Sequence, residues 1–398
     1  MKVALVHDYI KEYGGAEKVL EALHELFPDA PVYTSVYLPQ YLGPHAKRFA
    51  NWDIRTSYLQ NIPGKAKLIS PFRLLSKSIF QSFDFSGYDV IITSATGAYL
   101  PNSIDKKKAK LICYCHTPPR YLYGYATARV LTKNVLIKSL AQMANHILRM
   151  HDFETSANVD QYIANSEEVA NRIKKFYRKD SVVVYPPAFE ESRIKNQELR
   201  IEKKNTKYQI TNSRYYVAGG RLARPKHIDL IIKACLQLEV PLKIFGKGFA
   251  GYGEELSQIA HPTGTSFSEA ANLKSQKDGN KIEFLGEVRE EEKWELYRNA
   301  KALLFASEDE DFGIMPVESM AAGTPVIAYR SGGVQETVID KVTGLFYDEL
   351  KVESLVAAIK QFDKMKLNPK DCQKRAEKFS KERFMNEMKK VVMLYATS

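Results

Sequence analysis

Tyr215-Tyr216-Val217-Ala218-Gly219-Gly220-Arg221-Leu222, with Pro225-Lys226 just beyond, is the stretch that decides the fold. A short apolar run halts at two glycines and turns basic. Runs this short and this apolar are what a parallel sheet buries on both faces. Two glycines let the backbone approach a ligand, and the start of the following helix adds N–H donors. Arg221 offers a planar fork to phosphate and Lys226 a point charge. Taken alone, the segment also reads as a surface loop with ordinary charges.

The same pattern repeats in both directions. Downstream, Leu242–Phe245, Lys281–Phe284, Ala302–Phe305 and Pro325–Ala328 read as strands. Helices are expected near Ile228–Leu238, Glu290–Asn299, Pro316–Ala322 and Val352–Met365. Upstream, Lys2–Val6 is a strand, followed by the Gly14-Gly15 loop and a helix over Ala16–Leu26. Asp89–Thr93, Lys110–Cys115, Tyr162–Ala164 and Val182–Val184 continue that series. Alternating strands and helices predict doubly wound α/β sheets, which bind ligands at their strand C-termini. A chain of 398 residues is too long for one typical core. Two Rossmann-like domains with a ligand between them are therefore expected: residues 1–190, a polar linker over 191–211, and residues 212–375. A basic helix over 376–398 is expected to pack back toward the first domain. Residues 251–279 read as a polar surface loop with a helical piece.

Hydrophobic residues at 44% and charged residues at 26% describe an ordinary globular protein. The net charge is +11, with the excess leaning to the N-terminal half. Such an excess fits nucleic acid, an anionic membrane, or solubility alone. Four cysteines are too few for a disulfide framework and point to a reducing compartment. Cys113-Tyr114-Cys115-His116 has the wrong spacing for a zinc site and reads as a buried strand, so no metal is assigned. Met1–His7 opens directly as a strand without the pattern of a signal peptide. No run of about 18 apolar residues is present to span a membrane. Within residues 65–83, Leu68, Phe72, Leu75, Ile79 and Phe83 recur at helical spacing, flanked by Lys65, Lys67, Arg73 and Lys77. This is either a basic amphipathic helix lying on an anionic bilayer or a helix facing the core.

The segment Glu310-Asp311-Phe312-Gly313-Ile314-Met315-Pro316-Val317-Glu318 carries the most specific chemistry. Pro316 fits a first helical position and Gly323 a helix end. Glu318 then falls in the first turn, where a carboxylate is favoured and both hydroxyls of a ribose are within its reach. Backbone N–H groups of Phe312, Gly313 and Ile314 suit phosphate or sugar oxygens. A plain acidic loop before a helix is the competing reading.

Together these segments resemble the nucleotide-sugar site of the retaining GT-B enzymes of glycosyltransferase family 4. Gly-Gly-Ala-Glu-Lys at 14–18, Cys-His-Thr-Pro-Pro-Arg-Tyr at 115–121, Ala-Asn-Ser at 164–166, Tyr-Pro-Pro at 185–187 and Thr-Gly-Leu at 343–345 extend the likeness over nearly the whole chain. The His-Thr-Pro and Tyr-Pro-Pro blocks are similar to the mannosyltransferase-like branch that builds bacterial O-antigens and exopolysaccharides. The resemblance implies an α/β, GT-B fold, with two Rossmann-like domains facing each other across a cleft. It implies that Gly220, Arg221 and Lys226 hold the leaving diphosphate and that Glu318 holds the ribose. Glu310 contacts the donor sugar, with the backbone of Phe312, Gly313 and Ile314 positioning sugar and phosphate. Gly14 and Gly15 admit the donor phosphate or the acceptor, and His116 hydrogen-bonds the sugar. Glu310, His116, Arg221 and Lys226 are thus the implied catalytic set.

The implied reaction moves a hexose, mannose before others, from GDP-mannose or a UDP-sugar to a polyprenyl-diphosphate-linked or glycan acceptor. It needs no cofactor and no metal, and takes place at the cytoplasmic face of the cell membrane. Three departures stand out: His227 where glycine commonly follows the lysine, a lengthened segment after Gly246-Lys247-Gly248, and Asp309-x-Asp311, a metal-binding pattern in other glycosyltransferases. A sucrose- or trehalose-synthase-like enzyme with a soluble acceptor is the alternative. A basic nucleic-acid or membrane-binding protein without activity is a third reading, against which Arg221, Lys226, Glu310 and Glu318 speak.

Overall fold

The computed structural model describes residues 1–127, 135–194, 215–261 and 281–396. Of the expected linker 191–211 only 191–194 are described, and of the polar stretch 251–279 only 251–261; the rest lies outside the described residues. The chain forms two compact units. The first runs to Pro187 and takes in the C-terminal residues from Lys381, and the second contains Ala188–Ser380.

In the first unit β1 (Val3–His7) leads into α1 (Gly15–Leu26). There follow β2 (Val32–Thr34), β3 (Ile54–Thr56), α2 (Ser76–Gln81), β4 (Val90–Ala95), β5 (Lys110–Cys115), α3 (Arg120–Tyr123), α4 (Val135–Ser156), β6 (Gln161–Ala164), α5 (Glu167–Tyr177) and β7 (Ser181–Val183). All strands are parallel, in the order β3-β2-β1-β4-β5-β6-β7. Every residue of β1 and β4 is buried, which is why both read as unbroken apolar runs. Alternate side chains enter two cores: Ala4, Val6 and Ile91 on one face, Leu5, Ile92 and Tyr114 on the other. Strand order reverses between β1 and β4, where such sheets open a crevice beyond the strand carboxyl ends.

Residues 65–83 do not form the expected helix. Lys65–Lys67 and Pro71–Leu75 are 3₁₀ turns, and only α2 is α-helical. Pro71 opens the second turn, so continuous helical structure starts there and not at Lys65. Phe72 and Ile79 are buried, with Leu68 and Phe83 packed against the same core, so the apolar stripe faces inward; Leu75 alone of the five is exposed.

The second unit contains β8 (Tyr215–Gly219), α6 (Ile228–Leu238), β9 (Leu242–Phe245), α7 (Tyr252–Ala260), β10 (Ile282–Gly286), α8 (Glu290–Arg298), β11 (Ala300–Phe305), α9 (Ile314–Ala321), β12 (Val326–Tyr329), α10 (Val334–Thr337), β13 (Gly344–Tyr347), α11 (Val352–Phe362) and α12 (Pro369–Ala376). Its six parallel strands follow the order β10-β9-β8-β11-β12-β13, with the switch point between β8 and β11. The last helix, α13 (Lys381–Ala396), starts later than the expected 376 and belongs to the first unit. There Phe384, Met388 and Val392 join the core around Leu5, Leu20 and Ile112. Among the described residues no helix is long and apolar enough to cross a membrane.

Candidate functional site

Around the β8/β11 switch point the second unit gathers its predicted residues. Gly220 follows β8 with φ +92°, and a Cβ there would stand 2.7 Å from Met315 Sδ. The conformation therefore favours glycine, and any side chain would also displace the flexible Met315. Arg221 is exposed, its guanidinium 5.4 Å from the Phe249 ring centroid. Lys226 ends a 3₁₀ turn over Arg224–Lys226 that is tied to the loop after β11, Glu308 N–H donating to Pro225 O at 2.9 Å. That tie brings Lys226 Nζ onto Glu310 Oε2, to which it donates. Ser307 Oγ donates to the same oxygen at 2.5 Å. Glu310 thus sits as an oriented, partly buried carboxylate beside an ammonium.

His227 occupies the left-handed region, φ 46°, as the residue before α6. The position does want glycine, and histidine holds it under strain with Nε2 3.4 Å from Glu308.

Gly313, φ +90°, precedes α9, which starts at Ile314 rather than at Pro316. Pro316 is the third helical residue, where its missing N–H costs no intrahelical bond. Glu318 consequently lies in the second turn, not the first, and its side chain is 3% exposed. Lys293 Nζ donates to Glu318 Oε1 at 2.9 Å and Tyr297 OH to Oε2 at 3.3 Å. Burial alone would lower the Lys293 pKa, but Glu318 and Glu290 outweigh it and raise it. The Phe312 side chain is buried, edge-on to Phe379 at 5.5 Å, so only its backbone remains for a ligand.

In the first unit the predicted residues sit at the β1/β4 switch point. Gly14 precedes α1 in extended geometry, its N–H donating to Glu17 Oε2 at 2.8 Å, and Gly15 opens the helix. A Cβ on Gly14 would meet no atom closer than 3.4 Å, so the missing side chain leaves the loop surface open. His116 follows β5, almost buried. Its Nε2 lies 2.9 Å from Ser94 Oγ, which lies 3.1 Å from His7 Nδ1. Burial above all pushes the His116 pKa down to about 3, so the ring is neutral at physiological pH.

The motif reading missed several residues that shape these places. Gly332 and Gly333 brace the Glu310 loop: a Cβ on Gly332 would fall onto Glu310 O, and Gly333 N–H donates to that oxygen at 2.8 Å. A glycine pair just past a strand was the available signal. Ser307, Lys293, Ser94 and His7 carried none, because each meets its partner across long sequence separations or as a common residue type.

Two parallel-sheet Rossmann-like units of this order make a GT-B glycosyltransferase fold. The family model described as Glycosyltransferase Family 4 matches residues 13–193, and that described as Glycosyl transferases group 1 matches residues 200–379. The chain belongs to glycosyltransferase family 4. It is 28% identical to the alpha-1,3/1,6-mannosyltransferase ALG2 of Dictyostelium discoideum over 65% of this chain and 64% of that one. It therefore spans less than two thirds of that relative's length. It is 23% identical to ALG2 of Mus musculus over 94% and 92% of the two chains. Among solved structures, sucrose-phosphate synthase of Thermosynechococcus elongatus superimposes with a TM-score of 0.70 at 18% identity, covering 100% of both chains.

Proposed function

We propose that this glycosyltransferase moves mannose from a nucleotide-diphosphate donor, GDP-mannose before a UDP-sugar, to a lipid-linked or glycan acceptor of surface-polysaccharide type. The observation that carries the reading is the Lys226–Glu310 pair with Ser307 at the β8/β11 switch point. Breaking a glycosyl–phosphate bond leaves negative charge on the diphosphate, and cations already oriented toward that charge are the strongest stabilisation a protein can offer it. Arg221 and Lys226 are assigned that charge, without a metal. Glu310 takes the sugar, Glu318 the ribose, and the Phe312–Ile314 backbone the phosphate oxygens. Glu318 does so through the carboxylate that Lys293 and Tyr297 orient. In the first unit Gly14 and Gly15 admit the donor phosphate or the acceptor, and His116 accepts or donates to the sugar. Glu310 and Glu318 have separate partners, which favours same-face attack with retention over a double displacement between paired carboxylates. Mannose is favoured because the relatives just described are named as mannosyltransferases.

The test is direct. GDP, UDP, GDP-mannose and UDP-glucose are screened by thermal shift, since a site ligand raises stability by mass action. Glu310→Gln and Lys226→Ala are each expected to lower transfer by roughly 10²–10³-fold with the fold intact; near-wild-type turnover in both refutes the site. A soluble sugar as the preferred acceptor would favour a sucrose-synthase-like reaction instead.

Peripheral contact with an anionic membrane belongs to the same proposal, on a different surface. The stripe at 65–83 is inside, whereas α4 exposes Ile137, Leu140, Met143, Ile147 and Met150, with Lys138 and Arg149 on the same helix. Leu140→Glu with Met143→Glu is expected to abolish flotation with anionic liposomes, while charge reversal at Lys65, Lys67 and Lys77 leaves it unchanged. The opposite pattern would return the contact to 65–83.

A further inference from the structure

A line of buried polar groups crosses the β1/β4/β5 strand ends of the first unit. Glu17 Oε1 lies 3.6 Å from His7 Nε2. His7 Nδ1 lies 3.1 Å from Ser94 Oγ, and Ser94 Oγ lies 2.9 Å from His116 Nε2. His7 and Ser94 are fully buried and Glu17 nearly so. Such a line has a direction, because each neutral imidazole has one donor and one acceptor nitrogen. The Glu17 carboxylate is itself fixed by the Gly14 N–H at 2.8 Å. At 3.6 Å it is too far to accept a hydrogen bond from His7, and His7 Nε2 is buried with no hydrogen-bond partner. It still decides which nitrogen carries the proton. A lone pair facing a carboxylate in a buried site is repelled, and an N–H is attracted. A neutral His7 therefore holds its proton on Nε2, and its Nδ1 is an acceptor. Ser94 must donate its one hydroxyl proton to that Nδ1. Ser94 Oγ is then left with lone pairs toward His116, so His116 donates from Nε2. Its remaining nitrogen, Nδ1, is an acceptor.

We infer that Glu17, His7 and Ser94 are positioning residues that lock His116 in the Nε2–H tautomer, so that Nδ1 accepts a hydrogen bond from a hydroxyl of the transferred sugar. This rests on the proposed contact between His116 and the sugar, and it adds a requirement which that contact alone does not impose. The sugar must present a hydroxyl proton to His116, because an acceptor-only nitrogen rejects an analogue that lacks the hydroxyl. The low proton affinity of the buried ring agrees with a neutral, tautomer-defined imidazole.

The test has two arms. In the first, ¹⁵N NMR of the full chain labelled at histidine, at about pH 8 where an ordinary imidazole is neutral, reads the tautomer of His116 without substrate. Wild type is expected to show the Nε2–H form. Ser94→Ala and Glu17→Gln are expected to shift it toward Nδ1–H or a mixture, and Ser94→Thr to preserve it. A wild-type Nδ1–H form, or a tautomer unmoved by both Ser94→Ala and Glu17→Gln, overturns the relay. In the second arm, the turnover of GDP-mannose or UDP-glucose, whichever wild type uses, is compared across the same variants. Ser94→Ala is expected to lose about tenfold in kcat/KM, with Ser94→Thr near wild type. A tautomer that shifts while turnover stays unchanged overturns the role of Nδ1 in sugar recognition. Failure of the donor-site reading shows separately, as unchanged turnover in Glu310→Gln and Lys226→Ala, and leaves the NMR arm decisive for the relay.

Discussion

Lys226 donates to Glu310, so an incoming diphosphate competes with that carboxylate for one ammonium and is also repelled by it. The two neighbours should then respond in opposite senses. Glu310→Gln is expected to tighten GDP binding several-fold while transfer collapses, and Lys226→Ala to weaken GDP binding. Calorimetric titration of both variants with GDP checks this, and weaker binding in Glu310→Gln would show that the carboxylate helps to hold the nucleotide. His227 offers a milder case. Its φ of 46° costs roughly 1–2 kcal/mol relative to glycine, and its 3.4 Å contact with the half-exposed Glu308 returns little. His227→Gly should raise the melting temperature without loss of turnover; a lower one would mean that the histidine is held by more than Glu308. The departure from glycine was legible in the sequence, but the pairing of Lys226 with a residue 84 positions away was not. The pairing of β8 with β11 and the Pro225–Glu308 backbone tie bring them together.

At the scale of elements, strands were the most legible parts, because parallel strands buried on both faces read as short apolar runs. Lys110–Cys115 and Leu242–Phe245 are bounded as the sequence predicts. β2 and β3, three residues each, were not anticipated, whereas the equally short β7 was, one residue late. The 65–83 stripe had helical spacing, but spacing does not say whether a face meets core or water. Nor was the long α4 anticipated. It is anchored by Asp152, whose buried carboxylate accepts from Tyr123 OH at 2.8 Å and Tyr177 OH at 2.9 Å. Burial outweighs both hydrogen bonds and raises its pKa from 3.8 to about 7. In that window the native state keeps a proton that the unfolded chain releases, so this group's contribution to stability falls as pH rises toward 7. His116 runs the other way: its folded pKa of about 3 lies below the unfolded value, and stability is lost as pH falls below about 6.5. Asp152→Asn retains an acceptor for the tyrosines and removes the titration. Relative to it, wild type should lose on the order of 1.4 kcal/mol per pH unit through the window, measured by denaturant unfolding from pH 5 to 8. Parallel profiles would place the Asp152 titration elsewhere. The loop behind Glu310 has a steric counterpart. Gly332→Ala drives a Cβ into Glu310 O and should cost most of the turnover with the second unit still folded, which circular dichroism and product formation together decide.

For the whole molecule, two alternating α/β series were visible in the sequence, and so was a basic C-terminal helix expected to return to the first domain, but periodicity does not say which residues it meets there. Contacts do. Phe384, Met388 and Val392 of α13 are buried among Leu5, Val19, Leu23 and Tyr114 of the first unit, while among the described residues the second-unit core cluster around Ile231, Leu304 and Phe362 contains none from 381 onward. The Lys381–Glu25 pair at 2.7 Å, with Glu25 about half exposed, adds little by comparison. Losing one large buried apolar side chain costs about 2–5 kcal/mol, so losing three approaches the roughly 5–15 kcal/mol that a domain has in total. A chain ended after Ser380 should therefore lose the cooperative structure of its first unit and keep that of its second. Native-state hydrogen exchange reads the difference: amides of β1, β4 and β5 should lose protection, and those of β8, β9 and β11 should retain it. Lys381→Ala, as the control for charge alone, should change neither set by more than about 1 kcal/mol. Loss of protection in both sheets together would mean that the two units fold as one cooperative body, and α13 would then be a support of the whole chain rather than of its first half.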